Sequence, residues 1–176
     1  MALSDIKVKP MSVTWDSLDL GSTSGGVSIT PAAELVDIVA DQQGSQPIDS
    51  VLTGVSISVT MTLLELNAAN YNKMIGGAIG AEHNDGGTAV VGYGTSKNFS
   101  NMLANASGLQ LRPIGNTDAS EDWYFWKALP EVTGLSFVAD SANSIEVTFR
   151  IYADTSKDSQ ISLGLYGDHT QAYLSV

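Results

Sequence analysis

Apolar and polar side chains alternate with period two along several stretches of this chain, the pattern of strands that cover one face. In VLTGVSISVTMTLLEL, beginning at Val51, residues Val55, Ile57, Val59, Met61 and Leu63 share one face. Ser56, Ser58, Thr60 and Thr62 occupy the other. At the rise of a strand, Val55–Leu66 extends ~40 Å, about twice the common length, so it needs neighbours. Ser144–Tyr152 repeats the pattern, with Ile145, Val147, Phe149 and Ile151 set against Glu146, Thr148 and Arg150. Weaker strands are predicted at Met11–Trp15, Val27–Thr30, Ala33–Ala40, Leu109–Arg112, Trp123–Ala128, Gly134–Val138 and Gln160–Leu165. Turn residues at Gly21–Gly26, Asp41–Pro47, Asn116–Ser120 and Asp140–Asn143 separate them. Short strands without alternating helices predict a mainly β fold, an antiparallel β-sandwich or barrel.

One short flanking helix is predicted at Asn67–Ile75, with Asn67 as N-cap and Gly76 as the residue that ends it. From Gly76 to Ser100 there are seven glycines and no clear element, which reads as a long glycine-rich loop. No repeat or linker divides the 176 residues, so residues 1–176 form one domain.

Composition narrows the function. Charged residues are only 15%, while 21 Ser, 13 Thr and 17 Gly supply the polarity. The net charge of −11 opposes adhesion to nucleic acid or to an anionic membrane. No apolar run approaches the ~20 residues of a membrane-spanning helix. The opening MALSDIKVKP has no apolar core, so no secretory signal is predicted. The absence of cysteine removes disulfides, thiolate catalysis and thiolate zinc ligation.

Catalysis requires a nucleophile, a base and a group that orients the base. The two histidines, His83 and His169, lie among turn residues with no ligand pair around them. NTDASED, Asn116–Asp122, lacks the glycine and closing glutamate of a calcium loop and reads as a solvated turn. HNDGGTAVVGYG lacks the GK[ST] of a phosphate-binding loop. In WYFW, Trp123 and Phe125 share one strand face, Tyr124 and Trp126 the other. One pair suits a core, and Trp123 and Trp126 are candidates for a subunit interface or, less well supported, a sugar platform. The expectation is a protein that is not an enzyme and uses no cofactor or metal.

Between Lys9 and Lys73 lie 63 residues with no Lys or Arg and seven carboxylates: Asp16, Asp19, Glu34, Asp37, Asp41, Asp49 and Glu65. A Ser/Thr-faced hairpin with an acidic connection suits a surface that DNA passes without sticking, and on charge alone suits a merely acidic, solvated segment equally well. From Asp19 the order DLG, GGVSIT, P, DQQGSQPIDSVLTG and the following LLEL resembles the amino-terminal half of tailed-bacteriophage tail tube proteins (major tail proteins). FWKALPEVTGLSF, NSIEVTFRIYAD and LGLYGD are similar to that family's second half, while Gly76–Ser107 departs from it.

The resemblance implies a small β-sandwich whose sheets join neighbours into a hexameric ring barrel. Rings stack into a tube that conducts the genome. It implies a virion protein of the phage tail, assembled in the host cytoplasm. Its partners would be copies of itself, terminator and baseplate or tip proteins, and a sheath where one exists. DNA would pass through the lumen without specific binding, and no membrane is involved. Six copies carrying −11 each give a ring of −66, which makes an acidic lumen plausible. Asp41, Gln42, Gly44, Pro47 and Asp49 fall where the family has its ring-stacking loop. Ser56, Ser58, Thr60 and Thr62, or alternatively Glu146, Thr148 and Arg150, are the lumen-facing candidates. Rival readings are another virion component, such as a capsid decoration or distal tail protein, and a carbohydrate-binding module using Trp123, Tyr124 or Trp126.

Overall fold

Eight strands join into one continuous antiparallel sheet in a computed structural model of the chain, which describes residues 9–65, 71, 74, 80–85, 88–93 and 101–171. In chain order the strands are β1 (Met11–Trp15), β2 (Leu18–Asp19), β3 (Thr23–Val39), β4 (Pro47–Leu63), β5 (Gly80–Asp85), β6 (Thr88–Tyr93), β7 (Ser107–Pro113), β8 (Trp123–Ser136), β9 (Ser144–Tyr152) and β10 (Gly164–Tyr166). Across the sheet they run β2-β1-β7-β8-β9-β4-β3, with β10 alongside the start of β8. Among the described residues, strands β5 and β6 pair only with each other. They occupy part of the glycine-rich stretch 76–100, where the period-two pattern is weak.

One rolled sheet replaces the expected sandwich of separate sheets. Strand β1 lies three places from β9, ~14 Å if the sheet were flat. Yet the ring centroids of Trp15 and Phe149 are 6.1 Å apart, and Trp15 Nε1–H donates to Ala128 O at 2.9 Å. The sheet therefore curls until β1 lies over β8 and β9. The enclosed core holds Val13, Trp15, Leu20, Val59, Leu63, Leu109, Leu111, Phe125, Ile145, Val147 and Phe149. The alternation of β4 and β9 supplies much of it. Asp16 and Ser17, both at positive φ, make the two-residue hairpin turn between β1 and β2.

Two strands are longer than the sequence suggested. Val27–Thr30 and all but the last residue of Ala33–Ala40 are parts of the single β3, because Pro31 sits on an edge strand that tolerates the loss of one N–H donor. Trp123–Ala128 and the first part of Gly134–Val138 are likewise in β8, which ends at Ser136 and leaves Phe137 and Val138 outside it, with Pro130 in a stretch that β7 no longer flanks. The Gln160–Leu165 strand shrinks to Gly164–Tyr166. Side-chain turns preceding it, Asp154 on Ser156 N–H and Asp158 on Gln160 N–H, hold the backbone out of a ladder. The helix expected at Asn67–Ile75 lies outside the described residues except at Tyr71 and Met74. Both have helical backbone, and Met74 is fully buried in the core.

Candidate assembly interface

Strands β3 and β4 pair along 17 residues each, but β9 supports β4 only from Ser58 to Leu63. The distal part, 31–39 with 47–57, is therefore a two-stranded ribbon that leaves the sheet. An extra residue near Thr53 shifts the register between the Glu34–Gly54 and Leu35–Leu52 pairs. Beyond the shift, Leu35 pairs with Leu52 and Val36 with Val51. Successive strand residues face opposite ways, so both faces of the ribbon are apolar. Leu35 is 59% and Leu52 55% exposed, and Val36, Ile38, Val39, Ile48, Val51 and Val55 are also exposed. Among the described residues, nothing covers the apolar side chains on the two faces of this ribbon.

The tip gathers the five residues that the resemblance makes candidates for ring stacking. Asp41 and Gln42 stand in a 3-10 turn, and Gly44 takes φ +69°, a left-handed backbone that admits glycine readily. Pro47 opens β4 opposite Val39. Asp49 accepts a hydrogen bond from Ser50 N–H at 2.8 Å, while Ser50 Oγ donates to Asp37 at 2.6 Å. Among the tip's ionisable side chains all are acidic.

The two alternative sets of lumen-facing candidates lie on one surface. Register places Ser58 beside Arg150, Thr60 beside Thr148 and Thr62 beside Glu146. Ser56 follows on the same face of β4, and Ser28, Thr30 and Ala32 continue it onto β3. From β8, Glu131 lies beside Thr148. Arg150 Nε–H donates to Glu131 at 2.8 Å, so its charge is met by Glu131 and not by Glu146. Two shallow clefts of about 370 and 550 Å³ lie over this polar face. Glu34, Glu131 and Glu146 outnumber Arg150, which leaves the face acidic.

Unpaired edges bound that face on both sides. Among the described residues no strand pairs with the outer edge of β3. Among the described residues, β8 pairs with β9 alone after Ala128. No Lys or Arg, the usual guard of a free edge, occurs in β3.

Of WYFW only Phe125 is buried. Trp123 is half-buried, 6.4 Å from Phe125 and 5.0 Å from Tyr166 between ring centroids. On the other face, the chain's own C-terminal segment covers the second pair. Trp126 Nε1–H donates to Ile161 O at 2.8 Å, Lys157 Nζ lies 4.4 Å over its ring, and His169 stacks on Tyr124 at 4.0 Å. His169 is thus packed, unlike the open turn residue that the sequence suggested. His83 falls in β5.

The Asn116–Asp122 turn also differs from expectation. Asp122 is fully buried and accepts from both Arg112 Nε–H, at 3.0 Å, and Arg112 Nη2–H, at 2.7 Å. Gln110 Nε2 adds a third donor at 2.6 Å. The hydrogen bond to Asp122 raises the Arg112 pKa above its ordinary value. Glycine 167 N–H closes the C-terminal segment onto Asp122 O at 2.8 Å. This pair, with Asp122 buried and Arg112 partly exposed, binds β7 to the start of β8.

The sequence reading missed the Glu131 partner of Arg150 and the unpaired edges, which depend on register. The apolar ribbon was visible in LVDIV and PIDSVL, where consecutive apolar residues break the alternation. No protein-family model and no curated protein sequence matches this chain.

Proposed function

We propose that the protein is a structural subunit of a phage-type tail tube, forming hexameric rings that stack into a conduit for DNA. The observation that carries this reading is the acidic, Ser/Thr-rich face of β8, β9, β4 and β3, bounded by two unpaired strand edges. Edge pairing between neighbours removes the free edges and makes the polar faces line one barrel. Four strands from each of six copies, tilted ~40°, close a barrel of ~48 Å between backbones. That leaves room for side chains and a DNA duplex. Excess carboxylate on the lining keeps the polyanion from adhering.

The ribbon then serves ring-to-ring contact, with Asp41, Gln42, Gly44, Pro47 and Asp49 at its tip. Native mass spectrometry tests the ring: a hexamer of the 18.5 kDa chain is expected at roughly six times that mass. A monomer at every concentration removes the reading. Deletion of Gln42–Gln46 should leave rings and abolish tubes; long tubes from that variant would refute the role of the tip.

A further inference from the structure

The sheet carries a second exposed apolar feature at the end opposite the ribbon. Strands β4 and β9 are antiparallel, and Leu63, the end of β4 remote from the tip, pairs with Ile145 at the start of β9. The turn joining β8 to β9 therefore projects from the far end of the sheet. It presents Phe137, 64% exposed, with Val138 and Leu135 beside it. Phenylalanine is the largest apolar side chain so displayed among the described residues outside the aromatic cluster of β8 and β10. At the ribbon end, beneath the ribbon's base, a groove of about 450 Å³ is lined by Val55, Ile57 and Leu163, with Ser159, Gln160 and Ser162 also lining it.

We propose that the β8–β9 turn of one copy docks in the groove beneath the ribbon of the next copy, with Phe137 as the knob. Knob and groove lie at opposite ends of one sheet, so the contact is head-to-tail and can repeat from copy to copy along the strands. The groove is on the scale that receives whole ligands. The exposed apolar side chains of the ribbon offer ~400 Å² for cover, about half of what each partner gives a stable interface, and the groove adds to it. Both halves of the contact, the exposed apolar turn and the groove lined by Val55, Ile57 and Leu163, are on this chain. The occupant is thus a second copy of this chain. The proposal rests on the tail-tube reading for the ring and adds the axial contact between rings.

Because the chain has no cysteine, the contact can be tested by paired single substitutions. Val138→Cys and Ser159→Cys proteins are mixed under assembly conditions, treated with a short bis-maleimide and resolved on a denaturing gel, with electron microscopy of the same samples. Cross-linking in the mixture, and not within either variant alone, supports the proposal. Tubes that form without the mixed cross-link overturn it and leave the ring reading intact. Cross-linked chains without rings support the contact and overturn the ring. Cross-linking of Val138→Cys to itself signals a symmetric contact and overturns the proposal. As an independent check, Phe137→Asp should raise the concentration needed for tubes ~30-fold, as a central interface anchor does, with unchanged ring formation and melting. An unchanged threshold with native-like melting would overturn the knob assignment.

Discussion

Replacing Leu35 and Leu52 together with threonine should weaken assembly while leaving the isolated fold as stable as before. The two residues are directly paired on one face of the ribbon and are 59% and 55% exposed. Complete burial of a leucine contributes about 1.5–3 kcal/mol. Slightly more than half of that is still available to each side chain on assembly, or ~1 kcal/mol apiece after allowing for the methyl that threonine retains. The pair therefore contributes up to ~2 kcal/mol per subunit contact, a ~30-fold change in the association constant. Threonine suits a strand, so the ribbon itself should persist. The assay is sedimentation of assembled material across a concentration series, with thermal unfolding of dilute protein alongside. A threshold concentration raised by about that factor, at unchanged melting temperature, is the expected result. An unchanged threshold would show that the ribbon stays uncovered in the assembly. A fall in melting temperature of many degrees would show that these side chains belong to the monomer's own packing.

Three further outcomes follow from the geometry. Thr148→Cys should react with both small and bulky maleimides in dispersed subunits, but in tubes only with the small reagent; equal reaction with the bulky one in tubes would place this face outside. Arg112→Met should cost about 3 kcal/mol, near the low end for breaking a buried pair because Arg112 is itself about one-third exposed. Arg112→Met with Asp122→Asn should recover most of the melting temperature; no recovery would show that the lost arginine contacts, not the stranded carboxylate, set the cost. Asp118, Asp154 and Asp168 are held below the ordinary carboxylate range by hydrogen bonds from the hydroxyls and N–H groups of Ser120, Ser156 and Thr170. Their stabilisation is thus complete above the unfolded value of ~4 and lost as pH falls through the lower folded values. Amide exchange in residues 154–162 should be flat from neutral pH down to about pH 4 after correction for intrinsic rates, and loss of protection at pH 5–6 would contradict this.

The sequence exposed this fold where burial is one-sided. Met11–Trp15 and Ser144–Tyr152 are strands with the predicted boundaries, because alternation there follows directly from one covered face. It was less informative where tertiary context overrides a local signal. Pro31 and Pro130 look like breaks, yet each lies where part of the strand edge is free. The glycine-rich stretch concealed the β5–β6 hairpin, since glycines weaken the period-two pattern. The lumen candidates divided into two sets because residues almost ninety positions apart meet only through register, as Thr60 and Thr148 do. Asp122 appeared to be a solvated turn residue because its partner Arg112 stands on another strand. Apolar runs on both sides of the hairpin tip did signal an uncovered surface, but not what covers it.

Negative-stain electron microscopy of the purified protein, at low and high concentration, tests the tail-tube reading most directly. Hollow rings with sixfold symmetry at low concentration, stacking into tubes at high concentration, are the expected result. Single globular particles at every concentration would contradict it.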